Sequence, residues 1–172
     1  VNITLKKQPA ITSVLIITKD ITMQYNNEEC VDILKRLITA NRDRIDHYAQ
    51  AIELLNKDVD TDLIMLFEEL TQQSQQFKAQ ITPLIYREGD SEHMEDGIIN
   101  SDLKSLDSQQ TAVDRAQILQ SSKQVEAQIK KIYHEMDGCN DIIEDQVKEL
   151  IASQSDLLEK SHSEMTQRMG TK

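Results

Sequence analysis

Apolar residues recur along most of the chain at alternating steps of three and four, which is the spacing of one face of an α-helix. The clearest stretch follows "NNEE", which supplies a capping Asn and early acids for a helix N-terminus. One polar residue, Asn41, stands on this stripe, and we predict a first helix through it. The stripe consists of Val31, Leu34, Ile38, Asn41, Ile45, Tyr48, Ile52 and Leu55.

The same period predicts three further helices. They run from about Asp62 to Arg87, from about Thr111 to Met136 and from about Asp141 to Met169. The chain has only 4 Gly and 2 Pro, which favours long helices. Pro83 is expected to bend or finish the second helix, and a short extra helix is predicted from about Met94 to Leu106.

These helices, each about 25 residues or roughly 40 Å long, predict an all-α fold. Two antiparallel helix hairpins, turning at "NKDVDTD" and "DGCND", are joined by a long connection from about Glu88 to Gln110. The pattern predicts a four-helix bundle, for which a ferritin-like crossover is one of two orders that fit. The connection is long enough to cross the length of the bundle, so a crossover order and a simple up-down order both remain open at this stage.

The N-terminal segment "VNITLKKQPAITSVLIITKDIT" differs from the rest in its β-branched residues and precedes Met23. Its apolar run is short and no small-residue cleavage site follows, which argues against a signal peptide. We interpret residues 1–22 as an N-terminal extension that is poorly ordered. Residues 23–172 then form the four-helix-bundle domain.

The net negative charge of the chain argues against polyanionic binding partners. With 19 Lys+Arg against 30 Asp+Glu, the formal net charge is −11, which argues against nucleic acid or an anionic membrane surface as a partner. No apolar run approaches the roughly 20 residues that span a bilayer. Cys30 and Cys139 lack metal-ligand spacing, so we expect two reduced thiols and a cytoplasmic protein.

Each predicted apolar helix face contains a polar residue near its middle, which we call a polar step. Buried amides and hydroxyls need hydrogen-bond partners, so these steps predict a polar layer across the core in which amides and hydroxyls bind each other. Tyr48 and Tyr133 are expected to pack in the core, with their hydroxyls reaching this layer or solvent. Counting from the turns predicts that Asn41 lies level with Ser74, and Ser122 with Gln154. The predicted core polar layer is Asn41, Ser74, Ser122 and Gln154.

The polar residues near the middle of the predicted bundle could alternatively form a metal centre. Di-metal bundles take a Glu from two helices and Glu-x-x-His from the other two, because residues i and i+3 share a helix face. Here Gln replaces His in the first hairpin, and Gln is a poor ligand for iron or manganese. This leaves at most an incomplete or mononuclear carboxylate site. The candidate metal ligands are Asp46, Glu69, Gln72 and Glu126.

The histidines give little support to a metal site. The only Glu-x-x-His in the chain, Glu159 to His162, is expected to lie far from the middle of the bundle. His47 is expected at the surface beside the first stripe. There is also no Gly-rich phosphate loop and no nucleophile motif.

Two stretches resemble a known family. "LITANRDRIDHYAQAIE" resembles the first-helix signature Asn-x-Asp-Arg-Ile-Glu-x-Tyr of a bacterial ferritin-like four-helix-bundle family described only as a domain of unknown function. "ELTQQSQQFKAQI" is similar to its second helix. The chain departs from the family where Val125-Glu126-Ala127 replaces a Gly-Glu-Asp run. The resemblance implies a ferritin-like bundle and a dimer, but no assigned activity.

The leading functional hypothesis is therefore a non-enzymatic helical bundle that self-associates, with a stress-related role suggested by the family analogy. No cofactor is expected in this interpretation. The first alternative is a metal-binding bundle holding iron or manganese. The second is a helical adaptor that binds a protein partner through the acidic surface or the connection.

Overall fold

The computed structural model describes residues 11–87, 97–99, 101, 114–136 and 145–170, with side chains from residue 31 onward except 86, 87, 169 and 170. In this part of the chain the structure has four helices and no strands, which confirms the predicted all-α four-helix bundle. The helices are α1 (Ile11–Leu54), α2 (Thr61–Arg87), α3 (Arg115–Glu135) and α4 (Asp145–Gly170).

The helix boundaries follow from local hydrogen bonds. The α1–α2 turn is closed by the carboxylate of Asp60, which accepts the Asn56 amide at 3.0 Å. Asp114 caps α3 by accepting from the amide of Ala116, while the Gln117 side chain accepts from the Asp114 amide in a capping box. Pro83 lies inside α2 and does not end it, since the helix continues to Arg87.

The direction of α3 relative to α1 is given by their contacts. Arg36 pairs with Glu135, and Arg44 pairs with Glu126. As residue numbers rise along α1 they fall along α3, so these two helices are antiparallel. Since α2 is also antiparallel to α1, α2 and α3 run in the same direction.

The connection between the hairpins must therefore return along the length of α2, which has 27 residues and measures about 40 Å. Of the two orders left open by the sequence, the structure has the one with a long crossover. Both predicted thiols, Cys30 and Cys139, lie outside the residues whose side chains are described.

The structure gives α1 from Ile11, within the predicted extension of residues 1–22, and the division into extension and domain stays a prediction. The short helix predicted from Met94 to Leu106 is not seen at Gly97–Ile99 and Ser101, and its remaining residues lie outside the described ones.

The apolar core is divided into two clusters along the bundle axis. The first cluster takes these α1 residues: Val31, Ile33, Leu34, Leu37, Ile38 and Ala40. On α1, the other cluster includes Tyr48 and Ala51, followed by Leu55 just after the helix. On α1, the buried polar residues Asn41 and Arg44 lie between these two clusters. Within the described residues, no helix is both long enough and apolar enough to cross a membrane.

Candidate functional site

The centre of the bundle holds a buried ion pair between α1 and α3. Arg44 Nε donates to Glu126 Oε1 at 2.7 Å, and Arg44 Nη2 donates to Glu126 Oε2 at 3.0 Å. Both side chains are 0% exposed. This two-pronged geometry is the strongest form of a carboxylate–guanidinium contact, and it occupies both carboxylate oxygens.

The remaining guanidinium nitrogen of Arg44 binds α2. Nη1 donates to Gln73 Oε1 at 2.8 Å and to Ser74 Oγ at 2.9 Å. Ser161 Oγ on α4 lies 3.2 Å from the same Gln73 oxygen and 3.0 Å from the Leu157 carbonyl oxygen, and these two acceptors share its one proton. One connected set of hydrogen bonds therefore reaches all four helices. We call it the ion-pair layer, and it consists of Arg44, Tyr48, Gln73, Ser74, Glu126 and Ser161.

Tyr48 completes the ion-pair layer from α1. Its hydroxyl donates a short hydrogen bond to Glu126 Oε1, while its ring lies 4.8 Å from the ring of Phe67, centroid to centroid. The Arg44 guanidinium carbon lies 5.6 Å from the centroid of the Tyr48 ring. Glu126 therefore accepts three hydrogen bonds from α1 alone.

A second connected set lies closer to the crossover end of α2. Asn41 Nδ2 donates to the hydroxyl of Tyr133 at 2.8 Å, which donates to Gln154 Oε1 at 2.8 Å. Gln154 Nε2 then donates to Gln80 Oε1 at 2.9 Å. Each of the four helices contributes one residue to this set. We call this set the amide layer, and it consists of Asn41, Gln80, Tyr133 and Gln154.

The electrostatics keep the ion pair charged and the tyrosines neutral. Burial lowers the pKa of Arg44, but the charge of Glu126 and the hydrogen bond to it outweigh burial, and the pKa is raised. Burial, followed by the charge of Glu126, raises the pKa of Tyr48 well above its usual value. Burial also raises the pKa of Tyr133. The ion-pair layer thus carries one positive and one negative charge.

His47 is buried, so the prediction that it lies at the surface is wrong. Its ring nitrogens lie 2.8 Å from the Ser101 hydroxyl and 2.9 Å from the Ser122 hydroxyl. The residue is 1% exposed because α3 and the crossover connection cover it. Burial, together with the positive charge of Arg44, lowers its pKa to about 4, so His47 is neutral at pH 7.

Asp43, one turn before His47, holds the crossover connection. Its Oδ2 accepts from the amide of Ile98 at 2.6 Å and from the amide of Ile99 at 2.9 Å. Gly97 approaches closely, because a Cβ built on it would lie 3.1 Å from Asp43 Oδ1. The two α1 side chains therefore bind the connection near the middle of the bundle.

All four residues of the predicted polar layer are buried, but they do not share one level. Asn41 and Gln154 belong to the amide layer, Ser74 belongs to the ion-pair layer, and Ser122 binds His47. The prediction that Ser122 is level with Gln154 is wrong. The contacts of Lys130 with Glu159 and of Tyr133 with Gln154 are offset from those that a short turn between α3 and α4 would give.

The four candidate metal ligands are not brought together. Asp46, Glu69 and Gln72 are exposed, whereas Glu126 is buried and paired with Arg44. Among the residues that the structure describes, no group of three or more His, Cys, Asp or Glu side chains could hold a metal ion. A cation could reach Glu126 only by displacing the guanidinium.

Glu159 lies nearer the middle than the sequence predicts, but outside the core. Its carboxylate accepts from Lys130 Nζ at 2.7 Å and lies 3.3 Å from His134 Nε2. Lys130 is one turn from Glu126 on α3. The Lys130 bond lowers the pKa of Glu159, and the group forms a surface ion pair.

Sequence reasoning missed Arg44 and misplaced His47. Arg44 lies three residues after Asn41 and four before Tyr48, so it lies on the same helix face as both. A stripe drawn through Asn41, Arg44 and Tyr48 would have included it. The signal was weak because an arginine on an apolar stripe usually extends to solvent.

No family model, curated protein or solved structure matches the chain. The resemblance of the first two helices to a bacterial ferritin-like family therefore stays a prediction.

Proposed function

We propose that the chain is a non-enzymatic helical module whose polar centre fixes the register of its four helices. The observation that carries this proposal is the saturation of Glu126, the acid buried at mid-length. Both of its oxygens already bind Arg44, and one also binds Tyr48. The positive charge that a metal ion would supply is supplied by the guanidinium.

Fixing the register of the helices would account for a buried ion pair whose desolvation costs free energy. Replacing a buried ion pair by apolar side chains often leaves stability unchanged or raises it, so such a pair is weak evidence for stabilisation alone. Buried polar groups do specify register in some helical assemblies. The ion-pair and amide layers each join all four helices, so a shifted helix would leave several buried polar groups without partners.

Metal analysis tests the proposal against the metal-binding alternative. We expect the full chain, purified from cells supplied with iron and manganese, to contain far less than one metal ion per chain by plasma mass spectrometry. The matched variants are Glu126→Gln in the core and Glu69→Ala on the surface. A stoichiometric metal that is lost in either variant would overturn the proposal in favour of a metal-binding bundle.

Self-association as a dimer, a cytoplasmic location and a stress-related role are carried from the sequence as part of this proposal. Among the described side chains, the large exposed apolar residues are Val59, Met65 and Leu157, one on the α1–α2 turn, one on α2 and one on α4. Light scattering on the full chain is expected to give twice the chain mass of 19.7 kDa. A strict monomer at all concentrations would contradict the dimer.

A further inference from the structure

The contacts between α1 and the crossover connection form a unit apart from the two polar layers. We call it the crossover clasp: Asp43, His47, Gly97–Ile99 and Ser101. Two backbone amides, of Ile98 and Ile99, donate hydrogen bonds to the Asp43 carboxylate, and the Ser101 hydroxyl contacts the His47 imidazole. The connection adds one buried apolar side chain there, Ile99, while Ile98 is half-buried.

Segments held by few buried apolar contacts open at a lower free energy than the core of a protein. The ion-pair layer does not depend on the clasp, because its hydrogen bonds run between helices only. His47 belongs to both regions. One ring nitrogen binds Ser122 on α3, and the other binds Ser101 in the connection.

We propose that the described part of the connection, Gly97–Ile99 and Ser101, opens as a separate unit that the Asp43 carboxylate keeps closed, and that opening exposes His47 to solvent. The two successive amides on one carboxylate oxygen make Asp43 a polar anchor for this part of the connection. Gly97 approaches the same carboxylate closely, so a Cβ there would require the Asp43 side chain to shift by a few tenths of an ångström.

Amide hydrogen exchange of the full chain, followed by NMR, tests the first half of the proposal. Asp43→Ala should speed exchange at Ile98 and Ile99 at least about tenfold, while the core amides of the four helices keep their rates. Asp43→Asn, which retains one acceptor oxygen, should give a smaller increase. Asp46→Ala is the matched control, since Asp46 is an exposed carboxylate on the same helix.

Two results would overturn this half. If Asp43→Ala leaves the rates at Ile98 and Ile99 unchanged, the carboxylate does not hold the connection. If it speeds exchange equally along all four helices, or unfolds the chain, the clasp is part of the global unit.

An NMR titration of the His47 ring tests the second half in the same samples. His47 in the parent chain is expected to titrate near its lowered pKa of about 4. In Asp43→Ala the midpoint should rise toward 6.5, the ordinary value for an exposed imidazole, and in Asp46→Ala it should stay. Equal midpoints in the parent chain and Asp43→Ala would show that opening does not expose His47.

Discussion

Glu126→Gln is expected to lower the free energy of unfolding by about 3–5 kcal/mol, because it leaves the guanidinium of Arg44 buried without a counter-charge. The substitution keeps the size of the side chain and one acceptor oxygen, so the loss reports on charge rather than on a cavity. Urea denaturation followed by circular dichroism measures it. Glu69→Gln makes the same chemical change on the exposed face of α2 and should alter stability by less than about 0.5 kcal/mol.

A triple variant shows whether the instability of Glu126→Gln comes from the unpaired charge of Arg44 or from altered packing. Replacing the three charged and phenolic groups together, as Arg44→Met, Tyr48→Phe and Glu126→Leu, removes the buried charges and the hydroxyl that binds them. This triple variant should recover most of the stability lost in Glu126→Gln. If it is as unstable as the single variant, or if Glu126→Gln matches Glu69→Gln, the ion pair does not have the role assigned to it.

The stability of the chain should fall as pH drops from about 6.5 to about 4, in part because of His47. Its pKa is about 4 in the folded chain and about 6.5 in an unfolded one. Between these values the unfolded state binds more protons, so the free energy of unfolding rises with pH and levels off above about 6.5. One such group contributes a slope of up to about 1.4 kcal/mol per pH unit, or on the order of 3 kcal/mol across the window.

The contribution of His47 is isolated by comparing variants, because carboxylates also titrate at the lower end of this window. In His47→Gln, the difference in stability between pH 6.5 and pH 4.5 should shrink by about 2 kcal/mol or more. His162→Gln, a histidine change on α4, is the control. An unchanged pH dependence in His47→Gln would contradict the burial of a neutral imidazole.

The helices and their polar steps could be predicted from sequence because they depend on local periodicity. The stripe through Asn41 and Tyr48 marks one face of α1 whatever the helix packs against. The hydroxyls of Tyr48 and Tyr133 also reach the buried polar residues, as predicted.

The order of the helices and the relative heights of residues on different helices could not be predicted from this local periodicity. The crossover order could not be chosen, because a connection of that length fits either order. The level of Ser122 was wrong because it was counted from a short turn, whereas the contacts of α3 and α4 are offset. Arg44 and Glu126 lie 82 residues apart in the chain, and no local period joins them.

The most direct test of the paired, buried Arg44 is the Nε–H signal of arginine side chains in a ¹⁵N-edited NMR spectrum of the full chain at pH 7. One arginine Nε–H should exchange slowly with solvent, vanish in Arg44→Lys, and keep its position when iron or manganese is added. The exposed guanidinium of Arg36 provides a fast-exchanging reference in the same spectrum. If every arginine Nε–H exchanges as fast as that reference, or if added metal removes the protected signal, the core is not closed by this ion pair.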